Sequence, residues 1–159
     1  MSLTIRAAEP GDEQLLTVLN GFVQELHRAR RPDRFKPTNT AEVAAWFRSL
    51  LQKPTTLIWI AEDDRVPVGY LLALVQERAA NAFSAARRWC EIDQIAVDEV
   101  WRRQGVARAL VEHALLEVRG RGIRAVELST WAFNDTAQRA FQQLGFNPEV
   151  IRFSLTLSE

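Results

Sequence analysis

The 159-residue sequence contains a single cysteine, Cys90, and its formal net charge is zero. One cysteine excludes an internal disulfide bond and a metal site built from several cysteines. Zero net charge excludes the overall positive charge that is typical of nucleic-acid-binding proteins, so we expect no nucleic-acid partner. Neither His27 nor His113 has a partner at metal-ligand spacing, and we therefore expect no metal ion.

The sequence also lacks long hydrophobic runs. No apolar run reaches the length of about 18 residues that marks a membrane span, and the first residues turn polar at once, unlike a secretory signal. We therefore expect a cytoplasmic protein with no membrane partner. Hydrophobic residues make up 47 % and charged residues 25 %, as in an ordinary globular protein. This length predicts a single domain over residues 1–159.

Short apolar segments of strand character alternate with amphipathic segments of helical spacing. The predicted element order is β-α-α-β-β-β-α-β-α-β. A tight turn at 62–65 implies an antiparallel hairpin, whereas a helix between two strands implies a parallel pair, so we predict an α/β (α+β) fold with a mixed sheet. Residues 79–88 are predicted as a loop or a short helix. The predicted strands are 3–7, 56–61, 66–75, 89–97, 124–129 and 150–157, and the predicted helices are 12–28, 40–51, 105–120 and 134–144.

The strand predicted over residues 89–97 carries two carboxylates. Alternation along a strand places Glu91, Asp93, Ile95 and Val97 on one face. Cys90 falls on the opposite face, where we interpret it as a buried structural cysteine.

A turn of charged and small residues, 102–107, separates this strand from the next helix. A helix N-terminus exposes backbone N–H groups that have no intrahelical partner, and the helix dipole adds partial positive charge there. Gly105 allows a bulky anion to approach the backbone. The turn therefore predicts a phosphate site, although it has neither the Lys-Ser/Thr of a Walker loop nor the three glycines of a dinucleotide fingerprint.

Two segments carry a resemblance to a known family. The stretch IAVDEVWRRQGVARALVEHAL (95–115) and the stretch NDTAQRAFQQLGF (134–146) resemble the two C-terminal motifs of the GNAT superfamily of acyl-CoA-dependent N-acyltransferases. Their separation suits one helix and one strand, and the predicted element order matches the family. Residues 26–37 are similar, more loosely, to a loop of one bacterial branch.

The resemblance implies a GNAT fold, with a mostly antiparallel sheet and a splayed parallel strand pair that forms an acyl-CoA cleft. It implies acetyl-CoA as the acyl donor, with its pantetheine arm against the main chain of the 91–97 strand and its pyrophosphate on the amides of the following turn. Asn134 would bond the pantetheine near the thioester, although such a residue also serves as a plain helix cap. The implied cofactor-binding residues are Ile95, Ala96, Val97, Arg102, Arg103, Gln104, Gly105, Val106, Ala107, Arg108 and Asn134.

The implied reaction is direct attack of a neutral primary amine on the thioester, without a covalent enzyme intermediate. An alkylamine with a pKa of about 10.4 is mostly protonated at neutral pH, so a base must accept its proton. Glu91 and Asp93 are the candidates, with Glu91 slightly preferred. The alternative is that one or both form ion pairs with Arg87, Arg88 or Arg124.

The sequence departs from the family at Phe141, where many members have a tyrosine that protonates the leaving thiolate. This departure leaves open a second interpretation, an acyl-CoA-binding module with weak or no turnover. The acceptor, a small molecule or a peptide N-terminus, is not specified by the sequence. Long strands and tryptophans permit a homodimer. We expect four residues to line the acceptor pocket, namely His27, Phe35, Trp131 and Phe141.

Overall fold

The computed structural model describes residues 2–158, which fall into two compact units that divide after Ser129. The first unit contains nearly all of the regular structure. Its strands are β1 (Leu3–Ala7), β2 (Thr56–Asp63), β3 (Val66–Arg78), β4 (Arg87–Val97) and β5 (Val126–Leu128), and its helices are α1 (Glu13–Arg30), α2 (Thr40–Leu51) and α3 (Val106–Gly120).

The five strands form one sheet in the order β1-β2-β3-β4-β5. The first three pairings are antiparallel, and β4 pairs with β5 in parallel. This arrangement confirms the predicted mixed α/β sheet. The central strand β3 is apolar on both faces because helices cover the sheet from both sides.

Helices α1 and α2 cover one face of the sheet. Leu16 and Leu19 of α1 and Phe47 of α2 pack with Tyr70 and Leu72 of β3 in the main hydrophobic core. Asn39 caps α2, since its side-chain oxygen accepts hydrogen bonds from the backbone N–H groups of Ala41 and Glu42.

Helix α3 covers the opposite face. His113 of α3 meets Trp59 of β2 edge to face, with ring centroids 5.8 Å apart. A Cβ built on Gly69 of β3 would lie 2.8 Å from the carbonyl oxygen of Ala96 and 3.3 Å from side-chain atoms of Val97 and Val106. Only glycine at this position lets the end of β4 and the start of α3 approach β3 so closely.

The second unit contains one helix, α4 (Asp135–Gln143). The predicted final strand at 150–157 is wrong, because residues 146–158 contain neither helix nor strand. Apolar residues alternate there, but Phe153 is 89 % and Leu155 84 % exposed. Alternation supplies an apolar face, whereas a strand also needs a neighbouring strand to satisfy its backbone, and none of the described strands pairs with this segment.

Smaller differences occur at the element ends. The predicted strand at 124–129 is reduced to the three residues of β5, and residues 79–86 form a loop without a helix. Strand β3 ends at Arg78 and β4 begins at Arg87, so both strands extend further toward this loop than predicted. Within residues 2–158, no helix is long and apolar enough to cross a membrane.

Candidate active site

Strand β4 has a free edge beyond residue 92. Its parallel pairing with β5 is limited to Cys90, Glu91 and Ile92, whereas its antiparallel pairing with β3 continues to Val97. The side of β4 that faces β5 therefore has no sheet partner from residue 93 to 97 among the strands described. An extended ligand can add to such an edge by main-chain hydrogen bonds.

Helix α3 begins at Val106, after the connecting segment 98–105 that follows this edge. Gly105 is its N-cap, with a left-handed φ of 84° that favours glycine. A Cβ built there meets no atom within 4 Å, so the space beside Gly105 is open. The first amides of the helix have no intrahelical acceptor, and the site can accommodate an anionic group such as a pyrophosphate.

Three arginines flank this turn and differ in their partners. The guanidinium of Arg102 donates to the carbonyl of Val97 at 3.3 Å, which links the turn to the end of β4. Arg108 forms an ion pair with Glu112 at 2.8 Å. Arg103 has a positive φ of 61° and makes no ion pair with another residue in the 2–158 range. Arg103 is therefore the arginine whose charge is available to a ligand.

A bulge in β4 changes the faces that simple alternation predicts. Leu72 of β3 lies opposite Gln94 and Ala73 opposite Ile92, so Asp93 is an extra residue without an opposite partner. After the bulge the side chains exchange faces. The prediction that Glu91 shares a face with Ile95 and Val97 is therefore wrong, and Asp93 lies in the bulge itself.

The register gives the corrected faces. Glu91 lies opposite Leu74, and Gln94 and Ala96 lie opposite Leu72 and Tyr70, so all three point to the α1–α2 side. Residues 90, 92, 95 and 97 point to the α3 side. Glu91 thus lies on the face of the sheet that carries the N-terminal helices, whose connecting segment was expected to contribute to the acceptor pocket.

The two candidate bases differ in their surroundings. Glu91 is half-buried and forms no ion pair with any other residue in the described chain, because Arg87 pairs with Glu127 and Arg88 with Glu77. Asp93 occupies the exposed bulge, where partial desolvation raises the pKa of its carboxyl group. Within residues 2–158, neither carboxylate forms the alternative ion pair with Arg87, Arg88 or Arg124.

A buried polar cluster, which sequence reasoning missed, lies next to the bulge. The Tyr70 hydroxyl donates to Gln94 Oε1 at 2.6 Å, and the Asn20 amide donates to the Tyr70 oxygen at 2.9 Å and to Gln94 Oε1 at 3.2 Å. Asn20 is 4 % and Tyr70 0 % exposed. The available signal was one asparagine on the apolar side of α1 and one tyrosine in an apolar strand.

His27 and Phe35, two of the expected pocket residues, lie together. Their rings stack with centroids 5.1 Å apart. Burial lowers the pKa of the His27 imidazole, so the neutral form is favoured. The stack packs the C-terminal part of α1 against the segment that contains Phe35.

The second unit carries the remaining predicted residues. The Ala137 N–H donates to Asn134 Oδ1 at 3.2 Å, so Asn134 caps α4. Its Nδ2 group makes no hydrogen bond in the part of the chain that the structure describes. Phe141 meets Phe146 edge to face at 6.1 Å, and Trp131 stacks on Phe133 at 5.9 Å.

Cys90 is fully buried, and burial raises the pKa of its thiol to about 11. A thiol at this pKa is almost entirely protonated at neutral pH, and the thiolate is the nucleophilic form. The structural role that was expected for Cys90 agrees with this environment. Within residues 2–158, no group of three or more His, Cys, Asp or Glu residues is arranged to hold a metal ion.

Comparison with known proteins identifies relatives by sequence. The chain is 31 % identical to mycothiol acetyltransferase of Beutenbergia cavernae over 140 residues, which cover 88 % of this chain and 43 % of that protein. Over 58 residues it is 43 % identical to the ribosomal protein bS18 alanine N-acetyltransferase of Escherichia coli, covering 36 % of this chain and 39 % of that protein. The chain thus spans about two fifths of the length of these relatives.

Solved structures share the fold at low identity. A mutant BH1408 protein from Bacillus halodurans superposes with a TM-score of 0.91 and 23 % identity, covering 97 % of this chain and 99 % of that one. Aminoglycoside N-acetyltransferase AAC(6')-Iy in complex with CoA superposes with a TM-score of 0.75 and 21 % identity, covering 97 % and 94 %.

The family itself is shown by a match over most of the chain. The model of the acetyltransferase (GNAT) family matches residues 23–146, which include β4, the turn at Gly105 and helices α3 and α4. The chain therefore belongs to the GNAT family of acetyltransferases.

Proposed function

We propose that this protein transfers an acetyl group from acetyl-CoA to a primary amine, on a small molecule or a peptide N-terminus, by direct attack. The observation that carries the proposal is the free edge of β4 from residue 93 to 97, which leads into the open, glycine-started first turn of α3. The edge suits an extended amide-containing arm, and the turn suits a pyrophosphate.

Donor binding uses mainly the backbone of the first unit. The main chain of residues 95–97 would pair with the pantetheine, and the amides that follow Arg103 would hold the pyrophosphate. The free guanidinium of Arg103 adds charge, while Arg102 supports the turn through Val97. The proposed set in the first unit is Ile95, Ala96, Val97, Arg102, Arg103, Gln104, Gly105, Val106, Ala107 and Arg108, and the role of Asn134 in the second unit stays a prediction from the family motif.

Bound acetyl-CoA supplies an activated acetyl thioester. The amine nitrogen forms a bond to the acetyl carbonyl carbon, the carbon–sulfur bond breaks, and one amine proton is lost. We assign the acceptance of that proton to Glu91, directly or through a water molecule, because it is half-buried, free of ion pairs and on the α1–α2 face. Asp93 is the second candidate, and its raised pKa also suits a base.

The leaving thiolate receives no proton from residue 141, because a phenyl ring has none to donate. Departure without an acid is chemically acceptable, since a thiol has a pKa of about 8.5 and its thiolate is a fair leaving group near neutral pH. The proton released by the amine restores the thiol through solvent. We therefore propose turnover that is slower than with a positioned acid, but not absent.

In the first unit, His27 and Phe35 are proposed to line the acceptor pocket, and the roles of Trp131 and Phe141 in the second unit stay predictions from the sequence. The stacked His27–Phe35 pair forms an aromatic wall, and its neutral imidazole favours an uncharged or weakly polar part of the acceptor. The nearby cations Arg28 and Arg31 are compensated by Glu25 and Asp33.

Calorimetric titration with acetyl-CoA, followed by a panel of amines with detection of free thiol, tests the proposal. The panel includes a peptide with N-terminal alanine, because one relative is named as an alanine N-acetyltransferase. We expect binding and turnover with at least one amine. Binding without turnover across the panel would favour the inactive binding module, and the absence of binding by folded protein would contradict the proposal.

We also propose that the enzyme acts in the cytoplasm as a homodimer. The dimer, rather than the location, is supported by the exposed apolar side chains of the second unit, which alternate along the chain at Ile151, Phe153, Leu155 and Leu157, because exposed apolar surface favours association. Light scattering at several concentrations decides between a dimer and a monomer.

A further inference from the structure

The buried cluster of Asn20, Tyr70 and Gln94 joins three elements of the first unit at one point. It connects α1, β3 and β4 by three hydrogen bonds of 2.6 to 3.2 Å. Burial raises the pKa of the Tyr70 hydroxyl, so it stays protonated and can donate. Gln94 Oε1 accepts two hydrogen bonds, which fixes the orientation of its side-chain amide.

The location of the cluster coincides with the bulge. Gln94 directly follows the extra residue Asp93 and is the first residue of β4 that returns to register with β3. It is also just beyond Ile92, the last residue that pairs with β5. A bulge disrupts the ladder locally, so a side-chain bond at this point restricts where the extra residue can sit.

The Tyr70 side chain is itself held firmly. Its ring meets Phe47 edge to face at 5.7 Å, and the residue is fully buried in the main core. Tyr70 lies opposite Ala96, so its bond to Gln94 runs diagonally across the two strands. The cluster thereby anchors the part of β4 that carries the free edge.

We propose that Gln94, held by Tyr70 and Asn20, is a positioning residue that fixes the β4 bulge and thereby sets the main chain of residues 95–97 for the acyl donor. This inference rests on the proposed function for its ligand. The anchoring of the free edge of β4 by the cluster does not depend on the identity of the ligand.

The test uses Tyr70→Phe, which removes only the hydroxyl, and Gln94→Met, which removes both accepted bonds. Thr17→Val is the matched control, because the buried Thr17 hydroxyl donates to Glu13 within α1, away from β4. The measurements are the dissociation constant for acetyl-CoA, the melting temperature, and amide hydrogen exchange at residues 95–97.

We expect Gln94→Met to raise the dissociation constant about three- to tenfold, as for the loss of one or two hydrogen bonds, and Tyr70→Phe to raise it less. The double variant should show a non-additive effect, because both changes remove the same bond. Thr17→Val should lower the melting temperature but leave the dissociation constant unchanged.

Failure of the two proposals is distinguishable. If folded wild-type protein does not bind acetyl-CoA, the proposed function fails, and exchange at residues 95–97 alone decides the positioning role. Exchange that is faster in Gln94→Met than in Thr17→Val supports that role. The positioning role is contradicted if folded Gln94→Met binds acetyl-CoA as tightly as the wild type, or if its amide hydrogen exchange at residues 95–97 is that of the wild type. If Gln94→Met does not fold, the same two measurements on Tyr70→Phe decide.

Discussion

Glu91 lies directly opposite Glu127 on the two parallel strands, and only Glu127 is paired, to Arg87. The Arg87 guanidinium also lies 4.6 Å above the ring centre of Trp89 on the same strand. Paired residues of neighbouring strands share a face of the sheet, so the cation compensates one of two adjacent carboxylates. This arrangement supports the role of proton acceptor that we propose for Glu91, which forms no ion pair within residues 2–158.

Replacement of Glu91 by glutamine tests its role as the base. Glutamine keeps the shape of the side chain but cannot accept the amine proton. We expect kcat to fall by roughly a hundredfold or more, as for other general bases, while the dissociation constant for acetyl-CoA stays unchanged. Steady-state kinetics with the best amine of the panel gives kcat, and calorimetry gives the dissociation constant for acetyl-CoA.

The control for this change is Glu127→Gln on the neighbouring strand. It leaves Arg87 without its ion-pair partner, so we expect a lower melting temperature and a smaller loss of kcat than in Glu91→Gln. A normal kcat in Glu91→Gln, together with a strong loss in Asp93→Asn, would transfer the role of the base to Asp93.

The open first turn of α3 predicts the effect of a carboxylate at Gly105. In Gly105→Glu the new charge would occupy the space for the pyrophosphate. A hydrogen bond to a charged group contributes roughly 1.5–3 kcal/mol, so the loss of even one such bond weakens binding by about tenfold or more. We expect calorimetry to show at least this loss for acetyl-CoA.

Two further variants separate charge from backbone strain. Gly105→Ala imposes the left-handed φ of 84° on a residue with a Cβ but adds no charge. Gly120→Glu adds the same charge at the other end of the same helix, where a Cβ also meets no atom within 4 Å. We expect both to bind acetyl-CoA more tightly than Gly105→Glu, and equal weakening in Gly120→Glu would contradict the anion site.

The burial of Cys90 predicts that its thiol is unreactive. Its burial and its pKa of about 11 leave almost no thiolate near neutral pH. We expect iodoacetamide to modify Cys90 slowly in folded protein and readily after unfolding, and Cys90→Ala to keep its kcat while it loses about 1 kcal/mol or more of stability. Rapid inactivation of folded protein by stoichiometric alkylation would show that the thiol is accessible.

The helices and most strand positions could be predicted because their signals are local. Asn39, for example, caps α2 through amides two and three residues ahead, and the glycine at 105 begins α3. The bulge at Asp93 could not be predicted from alternation. It exists only in the pairing of β4 with β3, and a single extra residue reverses the face of every residue after it.

Long-range contacts account for the other failures. The hydrogen bond between Tyr70 and Gln94 and the contact of Gly69 with the carbonyl of Ala96 depend on strand register. The segment 150–157 has the alternation of a strand, yet it is exposed, because alternation does not supply a neighbouring strand. Local sequence thus predicts which segments favour a conformation, whereas pairing decides which ones adopt it.

The His27–Phe35 stack predicts a pH dependence of stability. Burial lowers the pKa of His27 below its ordinary value of 6.5, so the unfolded chain binds the proton more readily than the folded one. The contribution of His27 is therefore fully present above about pH 6.5 and is lost as the pH falls through the lower pKa of the folded state. We expect the urea midpoint of wild-type protein to fall between pH 7 and about pH 5, and His27→Phe, which keeps an aromatic ring against Phe35, to fall less. An equal fall of the urea midpoint in both proteins would show that other groups cause the pH dependence. His27→Gln removes both the titrating group and the aromatic ring, so its comparison with His27→Phe separates the effect of protonation from the effect of stacking.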